Sequence, residues 1–338
     1  MRNVKNKTTK LESGKLVCFC SITPLPKITN ENESNLFSIE GIHKGENYTV
    51  RLLSSSNLEE AKQTIFDLWP NLEGVPEDLM RYASIMGQCR YYIVIDNVVL
   101  ETKEALIKSN THASVELRTT VKNVLSLFWG ALGPFEEYTW QLRKPLFVSS
   151  KSSSIVSMNG FLCTRSSQLI SYDDKFEDTF FAMLENSWKG STFGNIMETS
   201  LDMISGSLRT LTPSQSFVLL TIAFETLFTR DENDWAGASR RLARIAGNSK
   251  QEVTATRNFL NDGRDSVRQI RNDLVHGVIG VDSKKIKEFR VRFATLIAQS
   301  IIFLVNHFAS TRAYDDYHNE LEKISEARFG ELPNKVDI

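Results

Sequence analysis

The chain has 338 residues, enough for two domains with a sizeable core in each. An apolar share of 41% and a charged share of 24% are those of an ordinary soluble protein. Forty basic against forty-one acidic side chains leave a formal charge of -1, which excludes a global basic field. Any binding of nucleic acid must therefore come from a local patch.

The cysteines are Cys18, Cys20, Cys89 and Cys163, three of them in apolar, strand-like stretches. There is no C-x-x-C pair, and the five histidines are scattered, so the pattern implies no metal site and no bound cofactor. Buried, reduced thiols in an intracellular protein are the reading that follows. The run Leu16 to Cys20 is too short for a signal peptide, and a Thr/Pro-rich turn follows it. The apolar stretch Ala294 to Val305 is too short to span a bilayer and reads as a core helix. Cytoplasmic location without a membrane partner is the expectation.

In chain order, residues 1–14 are polar. Strand-like pieces follow at Lys15–Ile22, Leu36–Ile42 and Tyr48–Leu53. Ser56 with Glu59, or Asn57 with Glu60, opens a helix that Pro70 stops. Arg90–Ile95 and Val98–Leu100 around Asp96-Asn97 read as a β-hairpin. A helix is expected over about Ser114–Leu132, then a strand in which Tyr138, Trp140 and Leu142 alternate. The Ser-rich stretch Ser149–Ser157 is the best linker candidate.

From Asp173 onward the periodicity turns helical. Phe176, Phe180, Leu184 and Trp188 form one stripe, and Ile196, Met197, Leu201, Ile204 and Leu208 another. Thr212, Pro213 and Gln215 announce a third helix, with Thr212 as N-cap, that buries Phe217, Leu220, Phe224 and Leu227 or Phe228. A short helix covers about Trp235–Ala246, and Ser249 with Glu252 caps the next. Asn261-Asp262-Gly263 breaks that one, and Asp262 with Asp265 is expected to start a helix carrying Val267, Ile270 and Leu274 and ending at Gly277. A long helix over about Lys284–Phe308 and an acidic helical tail complete the chain. The organisation expected is an α+β domain over 1–150, a boundary region over 151–171, an all-α bundle over 172–310 and a tail over 311–338.

The chemistry concentrates in Arg264 to Gly277. On one continuous helix Arg264, Arg268 and Arg271 share a face, as i, i+4 and i+7. Between residues 240 and 292 there are thirteen cations and six anions, an excess of seven positive charges. Such a patch holds phosphates with a salt-sensitive affinity. A histidine such as His276 can move a proton near neutral pH, and Arg271 can hold the charge of a phosphorane-like transition state. Five residues of helix place Arg271 and His276 about 140° apart, so two copies of the element across a two-fold axis are the expected way to complete a site. Taken alone, R-x4-H also fits a helix-end histidine on the dipole, with arginines that are solvated or paired to Asp265 and Asp273.

Three segments in order resemble the ApeA-like branch of the HEPN superfamily: Ile222–Leu227 around Glu225, Arg244-Ile245-Ala246, and Arg271-Asn272-Asp273-Leu274-Val275-His276-Gly277. The resemblance covers roughly residues 172–310. It implies an HEPN-type helical bundle and a metal-independent ribonuclease site made by Arg271, Asn272 and His276 at a homodimer or higher homo-oligomer interface. It implies RNA, either tRNA or mRNA, as substrate, with Arg264 and Arg268 as RNA-binding residues. Abortive infection against phages, set off by a phage-derived trigger, is the implied setting, with residues 1–150 as a sensing or regulatory domain. Some members are inactive scaffolds or nucleotide binders, and that alternative stays open. A transcriptional or structural adaptor, with the N-terminal domain doing the recognising, is a further one. Glu225 and Arg244 are supporting residues: Glu225 either braces the bundle or orients Arg271 or His276, and Arg244 reads as a structural partner. His43, His112, His307 and His318 have no evident companion. Tyr91, Tyr92 and Trp140 could stack on bases, though strand packing explains them as well.

Overall fold

A computed structural model describes residues 14–23, 35–43, 46–54, 91–99, 139–142, 146–149, 153–155 and 161–164, helical residues 116, 119–120, 123–124 and 127, and residues 174–209, 212–231, 234–277 and 283–333. The chain divides into two compact units, one of residues 1–122 and 138–162, the other of residues 123–137 and 163–338.

The first unit is built on β-strands: β1 (Gly14–Thr23), β2 (Asn35–His43), β3 (Glu46–Ser54), β4 (Tyr91–Val99), β5 (Thr139–Leu142), β6 (Leu146–Ser149) and β7 (Ser153–Ile155), with β8 (Phe161–Thr164) at its boundary. Their order is β2-β3-β4-β1-β5-β8, with β6 paired to β1 and β7. Register between β2 and β3 is pinned where Gly41 faces Tyr48. A Cβ at Gly41 would stand 2.7 Å from the Tyr48 hydroxyl, so a larger residue there requires the ring to move.

Two expectations fail here. Asp96-Asn97 is not a turn. It lies within β4, facing Val17 and Leu16 on one side and Thr49 and Tyr48 on the other. Two flanking strands satisfy its backbone, and the pair lacks the glycine that a tight primed turn prefers. The Ser-rich stretch is not a linker throughout, because Ser153–Ile155 pairs antiparallel with β6. The helix expected after Ser56 lies outside the described residues.

The second unit contains eight helices among the described residues: α1 (Asp174–Glu185), α2 (Thr192–Arg209), α3 (Pro213–Phe228), α4 (Trp235–Ala246), α5 (Lys250–Asn261), α6 (Val267–Val275), α7 (Ser283–Thr311) and α8 (Tyr317–Glu331). The all-α character expected for the C-terminal part therefore holds. α3 is buried along Phe217, Leu220, Phe224, Leu227 and Phe228, and α7 along Phe293, Ile297, Ile301, Leu304 and Phe308. Rings join these stripes: Phe224 lies 4.9 Å from Trp235 and 5.7 Å from Phe293, and Phe193 stacks on Phe308 at 4.3 Å. Burial of each such ring contributes about 1.5–3 kcal/mol. α7 is long and apolar enough to cross a membrane by length and composition, and half of its most apolar window is buried within the protein.

The acidic tail is a full member of the bundle. Tyr317 and Leu321 of α8 are completely buried, so a boundary at 310 would cut through a core. Residues 123–137 also belong to this unit, and Val124 and Leu127 are buried.

Local signals at helix ends explain most boundaries. Ser249 Oγ accepts the Glu252 N–H at 3.2 Å, and Glu252 reaches back to the Asn248 N–H at 2.8 Å. Thr212 occupies the N-cap position without capping through its side chain. Its hydroxyl donates to Gln215 Oε1 instead, at 2.7 Å. Trp188 lies beyond the end of α1, in the turn before α2, yet is buried against Phe193 at 5.2 Å.

Candidate functional site

The helix that carries the site starts later than expected. Gly263, with φ +86, turns the chain out of α5, but neither Asp262 nor Asp265 caps α6. Ser266 does: its buried hydroxyl accepts the Gln269 N–H at 3.3 Å and donates to the Gly263 carbonyl at 3.0 Å. Ser266 with Gln269 has the S-x-x-Q form of a capping box, which the nearer aspartates obscured. At the other end His276 is the C-cap, its N–H donating to the Asn272 carbonyl at 2.9 Å. Gly277 adopts φ +66, the left-handed conformation a glycine takes without strain.

This start corrects the expected basic stripe. Arg264 lies in the turn ahead of α6, not on it, and is exposed. Arg268 and Arg271 do share the helix. Arg268 is exposed and reaches Asn261 Oδ1 at 3.4 Å. The seven-charge excess is also less concentrated than the sequence implied. Arg241 is buried at 3% exposure and leaves the surface altogether. Arg244 faces α8, 4.0 Å from Glu322 and 5.0 Å above the Phe329 ring, which makes it a structural partner. Arg257 pairs with Asp262 at 3.7 Å, Lys285 pairs with Asp265, and Arg292 lies over Phe259 at 4.2 Å.

Arg271 and Glu225 do meet. Arg271 Nη2 lies 3.2 Å from Glu225 Oε1, and each side chain is about one-third exposed, at 33% and 31%. Arg271 Nη1 also donates to Asn272 Oδ1 at 3.3 Å. Two separated sequence segments thus form one connected group spanning α3 and α6. Among the described residues Glu225 Oε2 has no partner. His276 stands exposed at the C-terminal end of the same helix, while Arg271 turns toward α3.

Sequence reasoning missed the apolar rim of this group. Among the described residues of the helical unit, the exposed large apolar side chains are Ile222, at 39%, and Val275, at 54%. Ile222 is one turn before Glu225 and Val275 one turn after Arg271, so each lies on its charged neighbour's face. The signal was available in that i, i+3 and i, i+4 spacing.

The other histidines are placed differently. His307 pairs with Glu320 at 3.1 Å, against the expectation that it lacks a companion. His318 is half-buried, with Nδ1 sequestered and unpaired. The side chains of His43, His112, Tyr91, Tyr92 and Trp140 lie outside the described residues. Among the described residues no three His, Cys, Asp or Glu side chains cluster as a metal site would require.

A half-exposed arginine beside a carboxylate, with a histidine at the end of its own helix, can hold a phosphate and exchange protons near it. Comparison of the chain with protein-family models, with curated proteins and with solved structures finds no match.

Proposed function

We propose that the helical unit is an HEPN-type ribonuclease that cuts RNA without a metal, by attack of a 2′-hydroxyl on the adjacent phosphate. The observation that carries this reading is the Glu225–Arg271–Asn272 group, which joins α3 to the helix that His276 closes. In it Arg271 neutralises the charge gathered on the phosphorus oxygens, and His276 transfers a proton. Arg264, exposed in the turn before α6, and Arg268, exposed in its first turn, hold neighbouring phosphates of tRNA or mRNA. A host-directed RNA-cutting activity of this kind suits an abortive-infection toxin in the cytoplasm.

A homodimer completes the site in this proposal. What supports it is the position of Ile222 and Val275, exposed apolar side chains bordering the ion pair. A second copy laid on this face covers them and brings its own Arg271 and His276 to the first.

The test is cleavage of total tRNA and mRNA by the purified chain in EDTA, with His276→Ala as control and light scattering at micromolar concentration. The expected result is a dimer whose chelator-resistant cleavage leaves 2′,3′-cyclic phosphate ends and disappears in the variant. Activity that EDTA abolishes and magnesium restores would sink the mechanism. A folded His276→Ala that still cuts at the wild-type rate would leave only a scaffold.

A further inference from the structure

The ribonuclease reading leaves one half of the proton transfer unassigned. Cleavage needs a base to take the 2′-hydroxyl proton and an acid to protonate the 5′-oxygen as it leaves. One histidine cannot do both in the same step, and the His276 of a second copy is the competing base; rescue of His276→Ala, which removes both histidines, by a substrate that needs no acid tells the two apart. The geometry points to Glu225 as the general base and His276 as the general acid, with Arg271 holding the phosphate beside the base.

Glu225 differs from a bracing carboxylate in what it leaves open. It sits in the apolar run Ile222-Ala223-Phe224-Glu225-Thr226-Leu227-Phe228, yet about one-third of its side chain is exposed. Among the described residues only one of its two oxygens, Oε1, is engaged, by Arg271 at 3.2 Å. Among the described residues of α2, α4, α6 and α7, the helices packed on α3, Arg271 is the only charged group within ion-pair distance of it. Arg271 in turn uses Nη2 on Glu225 and Nη1 on Asn272, and its Nε has no partner among the described residues. Here a phosphate can hydrogen-bond to the guanidinium while the carboxylate remains beside it. A phosphate oxygen so held is within roughly 6 Å of Glu225, about two hydrogen-bond lengths. The 2′-hydroxyl next to that phosphate is then within a base's working reach of about 2.6–3.2 Å after modest adjustment.

The step balances. Glu225 takes the proton from O2′, O2′ forms a bond to phosphorus, and the bond from phosphorus to O5′ breaks. His276, protonated at the start, gives its proton to O5′. The products are a 2′,3′-cyclic phosphate and a 5′-hydroxyl, with Glu225 protonated and His276 neutral until water restores both.

This assignment rests on the ribonuclease reading, and the test separates the two. Glu225→Gln keeps the length and an oxygen that can accept from Arg271, but cannot take the proton. Its kcat should fall about 10²- to 10⁴-fold, the usual worth of a general base, with KM within about threefold. The acidic limb of the kcat profile should disappear in Glu225→Gln, and the alkaline limb in His276→Ala. An RNA whose 5′-bridging oxygen is replaced by sulfur needs no acid, because a thiolate leaves unaided. It should restore His276→Ala and not Glu225→Gln. Should the Gln variant melt early, His276→Ala on the sulfur substrate still decides: its rate must keep the acidic limb. A folded Glu225→Gln with wild-type kcat overturns the assignment. So does rescue of Glu225→Gln in place of His276→Ala, or loss of the acidic limb on the sulfur substrate. Failure of the wild-type chain to cut any RNA overturns the ribonuclease reading as well.

Discussion

Two arginines of the helical unit face carboxylates, and they teach opposite lessons. Arg241 of α4 is 3% exposed and held by two carboxylates. Its Nε donates to Glu322 at 2.6 Å, and its Nη1 donates to Asp234 at 2.5 Å and to the Phe228 carbonyl at 2.7 Å. Burial works against its charge, but the two carboxylates outweigh burial and raise its pKa above the ordinary arginine value. The group ties the C-terminal end of α3, the start of α4 and the tail helix together, and the Tyr317 hydroxyl adds a bond to the Leu227 carbonyl at 2.8 Å. Among the described residues Arg271 has one carboxylate; it keeps a third of its side chain in solvent and is bordered by exposed apolar side chains. A charge whose partners are all supplied by the fold is structural. A charge left with open valence at a surface is available to a ligand.

That contrast predicts a double dissociation. Arg271→Ala should lower kcat about 10²- to 10³-fold, the loss seen when a transition-state donor is removed. Its stability should change by about 1 kcal/mol or less, because the pair is partly solvated. Arg241→Ala should instead cost about 3 kcal/mol of folding stability, at the lower end for a broken buried pair. Asp234 and Glu322, about one-fifth exposed, would recover some hydration. Chemical denaturation and single-turnover cleavage of both variants read the two effects. Equal loss of stability in the two would erase the distinction.

A smaller effect sharpens the surface side of the comparison. Arg264 is exposed ahead of α6. Arg264→Ala should lower the slope of log affinity against log salt by about 1, the share of one phosphate contact, with little change in kcat. Binding titrations of an uncleavable 2′-deoxy analogue from 50 to 200 mM salt measure it. An unchanged slope would remove Arg264 from the RNA-binding surface.

How much of this was legible in the sequence depended on how local the deciding interaction is. The limits of α4 and the cap of α5 follow from Gly247, Ser249 and Glu252, all neighbours in the chain, and they are found as read. The start of α6 was misread because two capping signals compete within five residues. Burial of Ser266, a tertiary fact, decides between them. The β4 error has the same origin, since only flanking strands reveal that Asp96-Asn97 runs straight on. The pairing of Glu225 with Arg271 spans 46 positions, and a mid-helix glutamate announces a partner without saying which. Arg241 was counted in a surface patch because its neighbours in sequence are basic, while its carboxylates lie on the α4 N-cap and on a helix read as a tail.

The smallest effect concerns the histidine packed beside the Arg241 group. Burial lowers the pKa of His318 from the ordinary value of 6.5, and Arg230 and Arg241 lower it further, with Asp234 acting weakly the other way. Nδ1 is buried without a partner, so a proton placed there would have no acceptor. The folded state therefore prefers the neutral ring more than the unfolded chain does. As pH falls below about 6.5 the unfolded chain takes up a proton that the folded chain refuses, and stability declines until the folded pKa is passed. Above that range His318 contributes no pH dependence. His318→Gln should then flatten the fall of the unfolding midpoint between about pH 7 and pH 5, a shift expected to be small because the ring is only half-buried. Thermal melts at half-unit pH steps provide the measurement, with His307→Gln as a comparison that keeps the Arg241 surroundings intact. If His318→Gln leaves the slope unchanged, the ring takes up its proton as readily in the folded protein as in the unfolded chain, and Arg241 does not govern its neighbourhood.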